Sequence, residues 1–254
     1  MPTYSKLWVF PMAGRGIRTQ SAGEFKPFIE INGLKMVQWF LRSIKENFQP
    51  IDTLYFITRE CYYKDFAFTD EIGRILKNEG VSCGWRAEYA QDCDMGQALT
   101  VYHAKREMKA ADIVIVSNCD QFISFPIPML DKGEYGFMTV TADLSNSKSY
   151  VRIANGHITE VKEKENISLI ASTGVYCVCD GSSLVWALEK MISDKLTVNG
   201  EYYVSPSLNY LITERHFRIQ PVITSFRFDL GTVNGIERFK KFIFDTKESG
   251  VDAE

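Results

Sequence analysis

Short, continuous apolar runs that alternate with helical stripes constrain this chain most. Residues 7–12, 54–58, 113–117, 137–141, 175–178 and 222–228 are β-rich and mainly apolar. A strand apolar on successive positions is buried on both faces, as in a parallel sheet covered by helices. Between these runs, Val37, Phe40, Leu41, Ile44 and Phe48 recur at helical spacing. So do Leu184, Val185, Leu188, Met191 and Ile192, and near the end Ile236, Phe239 and Ile243. The pattern predicts an α/β fold with a Rossmann-like, mixed and mostly parallel central sheet flanked by helices. One stretch departs from it. In "YVRIANGHITEV" two alternating runs flank Asn155-Gly156, which predicts an antiparallel β-hairpin insertion.

Composition narrows the partners. The 254 residues are 45% hydrophobic and 24% charged, with a formal net charge of -3. That balance exerts no overall pull on nucleic acid. No apolar run nears the roughly 20 residues that span a bilayer. "MPTYSKLWVF" lacks the features of a signal peptide, so the expectation is a cytoplasmic protein without a membrane partner. Six cysteines, at 61, 83, 93, 119, 177 and 179, form no C-x-x-C pair and read as reduced thiols. Three histidines, at 103, 157 and 216, are too scattered to suggest a zinc site. No linker or repeat interrupts the chain, so one domain is expected over 1–254. A first half spans about 1–125 and a second about 126–246. Homo-oligomers remain open.

"VFPMAGRGIRTQ" carries a strand directly into two glycines and two arginines. Gly14 and Gly16 allow a tight turn whose amides can approach a ligand. Arg15, Arg18 and Lys26 add positive charge around it, which suits an anion such as phosphate. A plain strand-to-loop turn with solvated arginines is the other reading. Two phosphate motifs are excluded. No G-K-[ST] follows, and Thr19 stands where the third glycine of a dinucleotide fingerprint would be.

The continuation "AGRGIRTQSAGEFKPFIEINGLKMVQWF" resembles the opening of the sugar-phosphate nucleotidyltransferases, an A-G-x-G-[TS]-R loop followed by K-P, a short strand with a turn, and a helix. Met12 precedes the loop. Ala13, Gly14, Gly16, Arg18, Lys26-Pro27 and Asn32-Gly33 match it, while Ile17 replaces the usual hydroxyl residue. "DMGQALTV", with Asp94 and Gly96, resembles the segment that lines the base, although Asp94 stands where glycine is usual. "IVIVSNCD" resembles the strand that delivers a metal-binding aspartate, here Asp120. Glu163-Lys164 and the strand opening Ser172, Thr173, Gly174 resemble the acceptor-binding stretches. "GEYYVSPSLNYLI" resembles a further family segment, and "RFDLGTVNG" resembles D-[VIL]-G-T, with Asp229 as the second metal carboxylate.

The resemblance implies an enzyme that joins a nucleoside triphosphate to a phosphorylated small-molecule acceptor and releases pyrophosphate. It implies that Met12, Ala13, Gly14, Arg15, Gly16, Asp94 and Gly96 bind the nucleotide, with Arg18 and Lys26 catalytic. Glu163, Lys164, Ser172, Thr173 and Gly174 would bind the acceptor, and Asp120 and Asp229 would hold Mg²⁺. The chain's size is similar to that of compact cytidylyl- and thymidylyltransferases of surface-polysaccharide pathways, including capsule synthesis. This favours CTP and admits a sugar 1-phosphate, phosphocholine or phosphoglutamine as acceptor. A metal-dependent glycosyltransferase and a non-catalytic nucleotide sensor are the competing readings.

Overall fold

The computed structural model describes residues 4–14, 25–91, 93, 95–130, 133 and 135–248. In chain order the strands are β1 (Lys6–Pro11), β2 (Glu30–Ile31), β3 (Leu34–Lys35), β4 (Thr53–Arg59), β5 (Gly84–Ala90), β6 (Ile113–Ser117) and β7 (Gln121–Ser124). They continue with β8 (Tyr135–Ala142), β9 (Ser149–Ala154), β10 (His157–Glu163), β11 (Ile170–Val178), β12 (Arg218–Ile223) and β13 (Phe226–Asp229). The helices are α1 (Met36–Ile44), α2 (Glu60–Asp65), α3 (Phe68–Asn78), α4 (Gln97–Tyr102), α5 (Lys105–Ala110), α6 (Gly181–Ser193), α7 (Val204–Glu214) and α8 (Val233–Glu248).

Nine strands form the central sheet in the order β5-β4-β1-β6-β11-β8-β12-β10-β9. Its first four strands are parallel, as the continuous apolar runs predict. β1 shows why such runs form. Leu7 and Val9 face one core with Val101, Leu184, Leu188 and Leu208 of α4, α6 and α7. Trp8 and Phe10 face the other with Phe40, Leu41, Ile72 and Ile75 of α1 and α3. Successive side chains alternate sides, so every position from Leu7 to Phe10 needs an apolar residue. From β6 onward the sheet is mixed. β11 runs antiparallel to both its neighbours, while β12 runs parallel to β8.

Asn155 and Gly156 turn the β9–β10 hairpin with φ of 50° and 77°. Both values are positive, as a primed two-residue turn requires. The apolar run 222–228 differs from its expectation as a single strand. It breaks at Thr224 and Ser225, whose N–H groups donate to Val140 O at 3.1 Å and Ser124 O at 2.8 Å. Residues before the break belong to the central sheet. Those after it form β13, which pairs antiparallel with β7 in a separate two-stranded ribbon. Phe122 of β7, together with Leu230, packs under α8 through Ile236, Phe239 and Ile243 and against Trp39 of α1.

One buried carboxylate ties β1 to β4. Asp52, just before β4, accepts from Lys6 N at 2.9 Å, Trp8 Nε1 at 3.3 Å and Gln49 N at 3.0 Å, and pairs with Lys6 Nζ at 3.0 Å. Removing it leaves the Lys6 ammonium, itself only 6% exposed, without its counter-charge. Stranding one partner of a buried pair costs about 3–5 kcal/mol. Asp52→Ala should therefore lower the urea midpoint by that amount of stability, with little change in the slope of the transition.

Candidate functional site

The β7–β13 ribbon brings two distant aspartates face to face. Asp120 precedes β7, and Asp229 ends β13 opposite Gln121. The Leu230 N–H donates to the Asp120 carbonyl at 2.9 Å, which closes the junction. Gly231 marks the space between them. A Cβ placed there would lie 2.7 Å from Asp120 Oδ2, 2.9 Å from Asp229 Oδ1 and 3.0 Å from Lys26 Nζ. Two carboxylates and an ammonium from three distant segments thus converge on one point.

Each carboxylate has a cation. Lys26 Nζ donates to Asp120 Oδ2 at 2.6 Å, and Lys148 Nζ donates to Asp229 Oδ2 at 2.6 Å. Arg227 lies 3.4 Å from Asp229 Oδ2 and anchors its Nε on Gln121 Oε1 at 2.8 Å. Burial alone would raise the Asp120 carboxyl, but the Lys26 ammonium, with Arg227 and Lys148 behind it, brings it down to about 2. Burial also acts upward on Asp229, against the charges of Arg227 and Lys148, and its carboxyl is lowered too. Both are therefore anions at neutral pH.

Lys26 is held by its apolar neighbours. Phe25 and Pro27-Phe28 are buried on either side of it, and Phe25 contacts the rings of Phe28, Tyr62, Phe66 and Phe68. This aromatic cluster fixes the turn, so the ammonium is presented to the cleft with its side chain 15% exposed.

Of the glycine loop, Met12, Ala13 and Gly14 are described, while Arg15, Gly16 and Arg18 lie outside the described residues, as does Asp94. Met12 and Ala13 are buried at the end of β1. Met12 N donates to Ile57 O at 2.7 Å. Arg59 donates from Nε and Nη2 to Ala13 O at 2.9 and 2.6 Å, a two-pronged grip on the start of the loop. Gly96 receives the backbone of Tyr202, with Tyr202 N donating to Met95 O at 2.7 Å and Ala98 N to Tyr202 O at 3.0 Å. Gln97 Nε2 donates to Asn118 Oδ1, and Asn118 N donates to Gly174 O at 2.9 Å. Gly174 has φ of 85°, and a Cβ there would collide with the Asn118 side chain, so only glycine fits. The segments around Gly96, Asn118 and Gly174 are thereby stitched together two residues before Asp120.

Glu163 and Lys164 sit where β10 ends beside the start of β9. Glu163 Oε2 accepts from Ser149 Oγ, and from Ser205 Oγ at 3.0 Å. Ser172 and Thr173 are buried, Ser172 accepting from Gly174 N at 3.0 Å and Thr173 meeting the Thr139 hydroxyl. Lys164 has φ of 56°, a left-handed conformation uncommon outside glycine. Its N–H donates to Lys148 O at 2.7 Å, and its ammonium lies 4.5 Å from the centre of the Tyr203 ring while donating to the Tyr203 hydroxyl. Tyr150, Tyr176 and Tyr202 are buried, as aromatic residues in β-runs usually are.

Among the described residues no group of three or more His, Cys, Asp or Glu side chains comes together. A hard divalent cation fits what is present. Asp120 and Asp229 offer charged oxygens around the space left by Gly231, and Mg²⁺ commonly takes one or two carboxylates with substrate phosphates and waters. Sequence reasoning missed Lys148, Arg227 and Arg59. Arg227 had a readable signal, since it lies two residues before Asp229 on the same face of β13. Lys148 had none within "SNSKSY".

No protein-family model and no curated protein matches the chain. Solved structures do. A nucleoside-diphosphate-sugar pyrophosphorylase from Vibrio cholerae RC9 aligns with a TM-score of 0.74 at 20% identity, over 92% of this chain and 99% of that one. The inositol-1-phosphate CTP transferase from T. maritima aligns at 0.71 and 12% identity, over 96% and 97%. A UDP-glucose pyrophosphorylase complexed with UDP-glucose aligns at 0.71 and 16% identity, over 95% and 99%. The fold is thus the mixed α/β architecture of nucleotide-sugar pyrophosphorylases and related nucleotidyltransferases, along nearly the whole chain. No helix among the described residues is long and apolar enough to cross a membrane.

The lowered Asp120 carboxyl has a stability signature. A carboxyl depressed on folding stabilises above its unfolded value of 3.8 and loses that contribution as pH falls towards about 2. The stability difference between the wild type and Asp120→Asn, from urea unfolding, should be constant above about pH 5 and shrink steadily below about pH 4.

Proposed function

We propose that this chain is a nucleotidyltransferase that couples a nucleoside triphosphate, with CTP favoured, to a phosphorylated small metabolite and releases pyrophosphate. The convergence of Lys26, Asp120 and Asp229 on the space at Gly231 carries the reading. The fold and the named neighbours support it, one of them a CTP transferase. The product would be an activated precursor of the kind used in surface-polysaccharide or capsule synthesis.

Such a transfer asks the protein to align two polyanions and stabilise the charge between them. The acceptor's phosphate oxygen attacks the α-phosphorus in line, and pyrophosphate leaves. That oxygen is already anionic, so no general base is needed. The turn at Gly14 to Gly16 with Arg15 and Arg18 holds the triphosphate, and Arg59 braces the turn at Ala13. Base recognition falls to the segment carrying Asp94 and Gly96. Lys26 neutralises charge developing at the α-phosphate. Lys164 binds the acceptor's phosphate and Glu163 its polar head, over a floor formed by Ser172, Thr173 and Gly174. Asp120 and Asp229 hold Mg²⁺, which when bound supplies Lewis-acid stabilisation of the phosphate oxygens.

The decisive experiment incubates the protein with each nucleoside triphosphate, Mg²⁺ and a panel of phosphorylated acceptors, and measures pyrophosphate. Release that needs both substrates supports the proposal. Turnover of a ready-made nucleotide sugar without pyrophosphate points to a glycosyltransferase, and nucleotide binding without turnover to a sensor. Lys26→Ala should lower turnover by well over tenfold, which exceeds ~1.4 kcal/mol in the barrier. Its melting temperature should fall as well, because Asp120 loses its main counter-charge, so turnover is compared where both proteins are folded. Gly231→Ala should lower activity at least as much, because its methyl enters the space shared by the two carboxylates.

A further inference from the structure

Lys148 lies outside every motif that points to this site, yet its ammonium sits on Asp229 at 2.6 Å. The cleft around the two carboxylates holds three cations, Lys26, Lys148 and Arg227, so it is already neutralised before any metal arrives. A divalent cation in the space at Gly231 would meet Asp229 Oδ1 and would repel the ammonium held by Oδ2 of the same carboxylate. The three cations differ in how freely they can leave. Arg227 is tethered to Gln121 Oε1, and Lys26 belongs to the turn clamped by Phe25 and Phe28. For its ammonium Lys148 has one hydrogen-bonded partner among the described residues, Asp229, with the charges of Asp120 and Asp143 farther off. Its backbone meets Lys164, whose N–H donates to Lys148 O, so the two lysines are joined through the backbone.

We infer that Lys148 is an exchangeable lysine. It occupies Asp229 in the empty site, yields that carboxylate to the divalent cation, and then joins Lys164 in gripping the acceptor's phosphate. This rests on the proposed transferase reading for the acceptor, but its first half concerns the metal alone. Its consequence is an order of loading. Metal binding frees the second phosphate-binding lysine, so metal and phosphate bind with positive cooperativity. A flexible lysine suits such a double role better than arginine, being a point charge on a mobile stem.

The test measures Mn²⁺ alone, from the loss of its free-ion paramagnetic resonance signal, and inorganic phosphate by calorimetry with and without Mg²⁺. Lys148→Met should bind Mn²⁺ about two- to fivefold more tightly than the wild type, the effect of a typical partly exposed ion pair. In an Asp229→Asn background the same substitution should change Mn²⁺ binding little. Lys164→Met removes a neighbouring charge with no contact to Asp229, and should leave Mn²⁺ affinity within about twofold. Both lysine variants should weaken phosphate binding, and only the wild type and Lys164→Met should retain its enhancement by Mg²⁺. Equal Mn²⁺ binding by the wild type and Lys148→Met, including none detectable in either, overturns the inference. So does equal tightening by both lysine variants. If no acceptor yields pyrophosphate yet Lys148→Met binds Mn²⁺ more tightly, the transferase reading fails while the exchange at Asp229 stands.

Discussion

The antiparallel pairing of β7 with β13 is the interaction on which the site depends. Backbone hydrogen bonds between segments more than a hundred residues apart set Asp229 opposite Gln121 and draw Leu230 onto the Asp120 carbonyl. Two like charges held this close would repel, and their burial compounds the cost. Lys26, Lys148 and Arg227 offset both effects, and the packing of Phe122, Leu230 and Phe239 supplies the apolar support beneath. The site is thus an electrostatic cluster raised on a small hydrophobic core of its own, separate from the two cores that cover the central sheet.

That separation explains how a cluster of three cations coexists with a chain of formal net charge -3. The positive charge is local. It comes from a few residues at loop and strand ends, set among acids that partly cancel it. The paired carboxylates limit repulsion between the lysines. The buried bonds from Asn118 to Gly174 and from Ser205 to Glu163 hold the surrounding segments in register, so few side chains need to move when ligands arrive.

Much of this was legible in the sequence, for a physical reason. Strands such as 113–117 are buried on both faces and so are apolar at nearly every position, and a residue just past such a strand falls at the sheet edge. Asp120 could be placed that way, and Asn155-Gly156 announced its own turn. The run 222–228 misled because both pieces are apolar. Only the tertiary bonds of Thr224 and Ser225 to Val140 and Ser124 reveal that the chain changes sheets there. Lys148 and Arg59 were invisible because a lysine or arginine in a polar stretch carries no local mark of its distant partner. The resemblance of motifs supplied candidates for roles, and the geometry supplied which of them meet.

The position of β12 and β13 near the end of the chain also sets a timetable. β12 lies between β8 and β10, and β13 carries the second carboxylate, so both the sheet and the cleft stay open until these late segments are made. During synthesis the first carboxylate and Lys26 emerge long before their partner. A nascent chain halted before residue 218 would expose the edges of β8 and β7 and lack Asp229. Folding of the last third therefore both seals the apolar edges and completes the site. Such long-range strand pairing is intrinsically slow, which makes the final strands the step most exposed to misassociation.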